Sequence, residues 1–493
     1  MDRQVVRLLF FLIAGLFACN ILQPNAQGMP PPLPTTLAAP PFVFVTPTPA
    51  LFDTPTPIAI PIVDNRPLDL LIIAPEEFVP ALEPLAAHKN NTGLATKILS
   101  LEAIYQTFPG IDEAEKVKHC LASYKLDRSI KYAMLVGDAD KFPIRYTKTD
   151  RDVSEAAYTA FFPADLYYAD LFRSDGTFDD WDQNQNGYFG EIGGEAQAGP
   201  LNVDKVDLKP EIAVGRVPAS TTDEVKIYVT KVIGYELNAY QADWSRSVLL
   251  IGTTEYNTGA CRIQDEIAAQ YLQNYNVYKL YSEGNPCEKT VAPSPATITD
   301  ALNKGVGFVS YIGHGNSDVW QGYYTVKDIS GLNNSDRLPV IFAAACGTSE
   351  FATLPPYGPY TDINGTYHVG TNQGEVFTTT SPQPACIQKE NNIDGFGEIM
   401  MVYQSSGAIG YVGAVTGSQE WEFDLNKYFF EALANDQKTL GDMWNYMEQR
   451  YYKTHVPPLV VDPPDWTVLA EFHQPWKFFL FGDPSLRIGG VQK

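Results

Sequence analysis

Cysteine is scarce, with six in 493 residues. So few in a chain this long excludes a scaffold built mainly on disulfides. Charge is also sparse, at 19% against 45% hydrophobic residues, a balance that excludes a disordered chain and requires a packed core. Basic residues are outnumbered, 35 Lys and Arg against 58 Asp and Glu, leaving a formal net charge of −23. Nucleic-acid phosphates would be repelled by such a surface, so nucleic acid is excluded as a partner. The same balance suits a soluble extracytoplasmic protein and leaves room for calcium. The apolar run Leu8–Ala18 is too short for a comfortable membrane span. A length of 493 residues exceeds one core, so two or three domains are expected.

What is present begins with Arg3 and Arg7, the apolar run, and Cys19. Positive charge, a short hydrophobic stretch and a small residue before the cut predict a signal peptide over 1–18. Leu16-Phe17-Ala18-Cys19 resembles a bacterial lipobox, which implies a lipid anchor on Cys19 and attachment to a membrane; plain secretion is the alternative. Residues 19–66 are rich in Pro, Thr and Ala and predict an extended tether with no core of its own.

From Pro67 onward, apolar runs alternate with amphipathic stretches, which predicts an α/β fold with mostly parallel sheets flanked by helices. The first α/β subdomain is placed at 67–240. It has strands at Leu68–Ala74, Ala95–Leu99, Tyr132–Val136 and Glu211–Gly215, and helices at Pro80–Asn90, Asp112–Tyr124 and Thr222–Tyr240. The second is placed at 241–493, opening on the strand Ser247–Gly252. No further domain is expected after FFLFGDPSLRIGG.

Two runs in the second subdomain stop at reactive side chains: GFVSYIGHG at His314 and LPVIFAAACG at Cys346. Ligands of parallel sheets sit outside the carboxyl ends of the strands. If these strands are neighbours, an imidazole and a thiol emerge side by side, the minimum equipment of a cysteine nucleophile. Either residue alone reads better as a buried structural group; the pair, flanked by glycines, points to catalysis. The long Phe351–Phe396 stretch follows Cys346 directly and reads as a lid or substrate-binding loop.

A second cluster is acidic. Asp179–Glu191 reads DDWDQNQNGYFGE, with Asp182, Asn184 and Asn186 at alternate positions before Gly187. Oxygen ligands spaced this way resemble the first half of a calcium loop, and Asp179, Asp180, Tyr188 and Glu191 complete the candidate ligand set for structural Ca2+. A solvated turn rich in Asp and Asn is the alternative. Cys261 and Cys287 are able to pair in an exported protein; Cys120 and Cys386 have no evident role.

With LVGD at Leu135–Asp138, DLYYADL at Asp165–Leu171, EIAVGR at Glu211–Arg216, YIGHG, AACG and FGDPSLRI at Phe481–Ile488, the chain resembles the gingipain-type cysteine peptidases. The resemblance implies two caspase-like subdomains with the dyad in the second. It implies His314 as base or acid, Cys346 as nucleophile, backbone N–H groups of Gly315 and Cys346 around the oxyanion, and Glu255 orienting the imidazole. Its activity would be endopeptidase cleavage of polypeptides at or outside the cell surface, with no organic cofactor. Arg262 and Trp421 are the substrate-binding candidates. Arg262 stands where the arginine-specific members place an Asp, so their basic specificity does not carry over; charge reversal predicts an acidic preference, and a small apolar pocket at Gly259 or Ala260 is the alternative. A sortase-like transpeptidase is the rival reading, and a non-catalytic calcium-stabilised surface protein the third.

Overall fold

The fold is that of a computed structural model, which describes residues 67–149, 160–193, 200–253, 259–282, 287, 289–389, 392–456 and 466–492. The expected signal peptide, Cys19, the tether and Glu255 lie outside these residues.

Ten strands form the main sheet: β1 (Leu70–Ala74), β2 (Thr96–Ser100), β3 (Tyr132–Val136), β4 (Ala213–Val217), β5 (Ser247–Gly252), β6 (Asn276–Tyr281), β7 (Phe308–Ile312), β8 (Val340–Ala344), β9 (Gly410–Ala414) and β10 (Phe478–Gly482). Their order across the sheet is β2-β1-β3-β4-β10-β9-β8-β7-β5-β6. All neighbours are parallel except β9 and β10. Strands β1, β3, β7 and β8 are buried at every position, which is why they read as unbroken apolar runs rather than as alternations.

Strands from before residue 240 fill one side of the sheet and later ones the other. The C-terminal strand β10 sits between them, touching β4 through the pair Phe481↔Arg216. β4 starts two residues later than its sequence suggested, at Ala213, and runs to Val217.

Local signals set the helices. In Thr222–Asn238, the Thr221 side chain and the Glu224 carboxylate cap each other's backbone N–H groups. Asp112 caps Glu113–Arg128 by accepting from Glu115 N at 2.9 Å. The helix Leu101–Thr107 was missed in the sequence; Ser100, the last residue of β2, caps it.

The 351–396 stretch carries a small hairpin, Tyr360–Thr361 against Tyr367–His368. It is docked on the first half of the fold. Ile144 N donates to Cys386 O (2.8 Å), Tyr146 Oη to Thr353 O (2.9 Å) and Gln388 N to Ala139 O (3.0 Å). Among the described residues no helix is long and apolar enough to cross a membrane.

Candidate active site

Strands β7 and β8 are parallel neighbours, paired through to Ile312↔Ala344. His314 and Cys346 therefore each lie two residues beyond the same register pair. Gly313 N donates to Ala344 O at 3.2 Å, so the two chains are still in contact as they leave the sheet. Glycine is required where they cross. A β-carbon on Gly315 would stand 2.6 Å from Thr348 Cγ2 and 3.0 Å from Cys346 O. Gly347, at φ +63°, lets the chain turn sharply just after the sulfur. His314 and Cys346 are both half-buried.

Aromatic packing holds the His314 turn. Tyr311 Oη donates to His314 O at 2.7 Å, and the Tyr311 ring stacks on Trp320 at 4.5 Å. Trp320 Nε1 in turn donates to Tyr411 Oη at 3.1 Å, joining the turn to β9.

A third strand end, absent from the sequence-based candidates, completes the site. The loop after β9 brings Ser418 to the sulfur, with Ser418 N 3.4 Å and Ser418 Oγ 3.8 Å from Cys346 Sγ. Ser418 Oγ also hydrogen-bonds the Glu422 carboxyl at Oε2. Glu422 opens the helix Glu422–Ala434 and is fully buried. Burial, and then the negative charge of Cys346, push its carboxyl well above the usual range. Lys477 stands behind, donating to Gly417 O at 2.9 Å and to Gln419 Oε1 at 2.7 Å. The one sequence signal was that the polar TGSQEWE follows an apolar strand, without any indication that this strand adjoins β8.

Trp421 lies on the same loop, half-buried at the N-cap of Glu422–Ala434, three residues from Ser418. Arg262 is exposed on the helix Gly259–Tyr271, while Gln264 beneath it is buried and donates to Ile251 O and Ser310 O. Cys261 and Cys287 form a disulfide. Cys120 and Cys386 are buried thiols, and burial first of all pushes both upward.

The acidic loop is closed by its own donors. Asp182 accepts from Asn186 N (2.9 Å) and Gly187 N (3.0 Å). Glu191 accepts from the amides of Asn184 (2.8 Å) and Asn186 (2.6 Å) and pairs with Lys148 at 3.1 Å. Arg173 pairs with Asp179 (3.4 Å) and Asp180 (2.6 Å), and Tyr188 Oη donates to Ser381 O (3.3 Å). Among the described residues no three His, Cys, Asp or Glu side chains form a group able to hold a metal ion. As placed, Glu191 is taken by Lys148 and by the amides of Asn184 and Asn186.

A family model described as peptidase family C25 matches residues 63–489. The chain belongs to that family. Gingipain R2 of Porphyromonas gingivalis (strain ATCC BAA-308 / W83) is 24% identical over 291 residues, 57% of this chain and 32% of that protein. Gingipain R1 of Porphyromonas gingivalis is 29% identical over 153 residues, 30% of this chain and 15% of that protein. The chain thus spans a third or less of the length of these curated relatives. An uncharacterized protein of Archaeoglobus fulgidus is 20% identical over 313 residues, 57% of this chain and 66% of its own length. Among solved structures, the Arg-specific cysteine proteinase gingipain R superimposes with a TM-score of 0.57 at 18% identity, covering 85% of this chain and 78% of that one. At that identity the likeness carries the caspase-like α/β fold alone, and the family to which the chain belongs is a peptidase family.

Proposed function

We propose that this C25 member hydrolyses peptide bonds through an acyl-enzyme. Cys346 attacks the scissile carbonyl, the sulfur's proton passes to His314, and His314 returns a proton to the leaving amine; water then releases the acyl group. The observation that carries this reading is the shared register pair Ile312↔Ala344, which delivers imidazole and thiol at adjacent strand ends. The backbone N–H groups of Gly315 and Cys346 are assigned to the oxyanion and Glu255 to orientation of His314. Export and lipid attachment through Cys19 belong to the same proposal, supported by the charge and length of the first 18 residues.

A preference for an acidic residue before the scissile bond is proposed at Arg262, since a guanidinium pairs with carboxylates in bidentate fashion. Calcium at the acidic loop is a proposal supported by the Asp182, Asn184 and Asn186 spacing alone.

The test is a peptide-library cleavage profile of the full chain beside Cys346→Ala and Arg262→Asp, with and without an amine acceptor. Expected are Cys346-dependent cuts after acidic residues that Arg262→Asp relaxes. Unchanged cleavage by Cys346→Ala sinks the peptidase reading. Products joined to the amine in place of hydrolysis make the protein a transpeptidase.

A further inference from the structure

We propose that Ser418 is a positioning residue for the Cys346 sulfur and that Glu422 acts on the same sulfur through the Ser418 hydroxyl. The inference rests on the reading of Cys346 as the nucleophile. It starts from three contacts at one atom. Sγ lies 3.7 Å from Ser418 O, 3.4 Å from Ser418 N and 3.8 Å from Ser418 Oγ. A thiol donates to the carbonyl; a thiolate has no proton to give and accepts from the N–H and the hydroxyl. One serine therefore offers a partner to each state of the sulfur, at the end of a strand that carries neither dyad residue.

The hydroxyl has one proton, and Glu422 decides where it goes. Beside an ionised Glu422 the hydroxyl donates to the carboxylate and leaves the sulfur. Beside a neutral Glu422 the carboxylic acid donates to Ser418 Oγ, freeing the hydroxyl proton for the thiolate. Burial of Glu422 favours the neutral form, and so does the negative charge of Cys346; Lys477 opposes it. The charged or titratable groups that bear on Glu422 are the Cys346 sulfur and Lys477, while His314 leaves the strand beside Cys346. A neutral acid there supports a thiolate without placing a second negative charge beside it.

The measurement is the rate of Cys346 alkylation by iodoacetamide against pH, read on the Cys346 peptide by mass spectrometry in the full chain. It reports the sulfur without requiring peptide turnover. Ser418→Ala is expected to raise the alkylation midpoint by about half to one pH unit, slowing the reaction about three- to tenfold on the acid limb. Glu422→Ala is expected to move it in the same direction. Glu422→Gln, whose amide also donates to the hydroxyl, is expected to hold the parent midpoint, and Ser418→Thr to restore it. Ser418→Gly, also without the hydroxyl, is read in place of an alanine variant that does not fold. A lower melting temperature at an unchanged midpoint overturns the inference, because a merely structural serine does that. A midpoint that falls by about a unit in Glu422→Gln also overturns it, since Glu422 was then a repelling carboxylate. Shifted midpoints in a protein that cleaves no peptide would leave this inference standing and remove the peptidase reading; cleavage with unmoved midpoints does the reverse.

Discussion

Near the end of β4, Arg216 is fully buried. Its guanidinium grips Asp165 in bidentate fashion, with both bonds at 2.7 Å, and donates to Gly137 O and Pro143 O. Just past the end of β8, Cys346 is half-buried and held by weak contacts to Ser418. Both positions lie at the ends of strands of one sheet. Arg216 spends its donors on internal partners, whereas Cys346 stays partly exposed. A strand end becomes a candidate site only where its reactive group stays partly exposed, and fully buried Arg216 fails that condition.

The comparison breaks most sharply through the dyad. Cys346→Ala and His314→Ala should each lower peptidase kcat/KM by at least about a thousandfold, while melting temperatures stay near that of the parent. Unfolding of either variant would mean that the second half is as structural as the first.

Arg216→Met tests the opposite side. It strands Asp165 in a largely buried site, and the expected loss is about 3–5 kcal/mol in denaturant unfolding, with kcat/KM of the folded fraction unchanged. A loss under about 1 kcal/mol would put this pair in the class of surface ion pairs.

Glu236 gives the comparison a pH dependence. Burial alone would raise its carboxyl, but the hydrogen bond from His88 and the charge of Lys89 at 2.7 Å override that and hold it at about 2. A depressed carboxyl stabilises the fold above its unfolded pKa and loses that contribution as pH falls through the folded one. About 3 kcal/mol should therefore disappear between pH 5 and pH 2, and Glu236→Gln should flatten that part of the curve. An identical acid limb in the variant would assign the loss elsewhere.

The smallest effect belongs to the acidic loop. If calcium displaces Lys148 from Glu191, the parent should gain about 1–3 kcal/mol in excess calcium, and Asp182→Ala should gain less. Melting indifferent to calcium and to chelator would leave the loop as the self-bonded turn its hydrogen bonds describe.

Much of this was legible beforehand because strands buried on both faces must be apolar throughout. The runs ending at His314 and Cys346 were visible for that reason, and the Cys261–Cys287 disulfide was among the open pairings. Ser418 and Glu422 were not legible. Neither belongs to a run, and their meaning depends on β9 lying beside β8, which no local pattern encodes. In the acidic loop the oxygen spacing was plain, but the pairing of Glu191 with Lys148, 43 residues away, was not.

By itself the sequence determined the elements that follow from local physics: which segments are buried on both faces, where helices are capped, and where glycine must stand next to a reactive side chain. Only the tertiary structure decided which strands adjoin. That choice placed β10 between the halves, sealed Arg216 against Asp165, and brought a serine and a buried glutamate under the sulfur. The physical reason is that hydrophobic burial is non-directional and sets only that a strand is covered. Which strand end meets which depends on packing and hydrogen bonds between residues far apart in the chain.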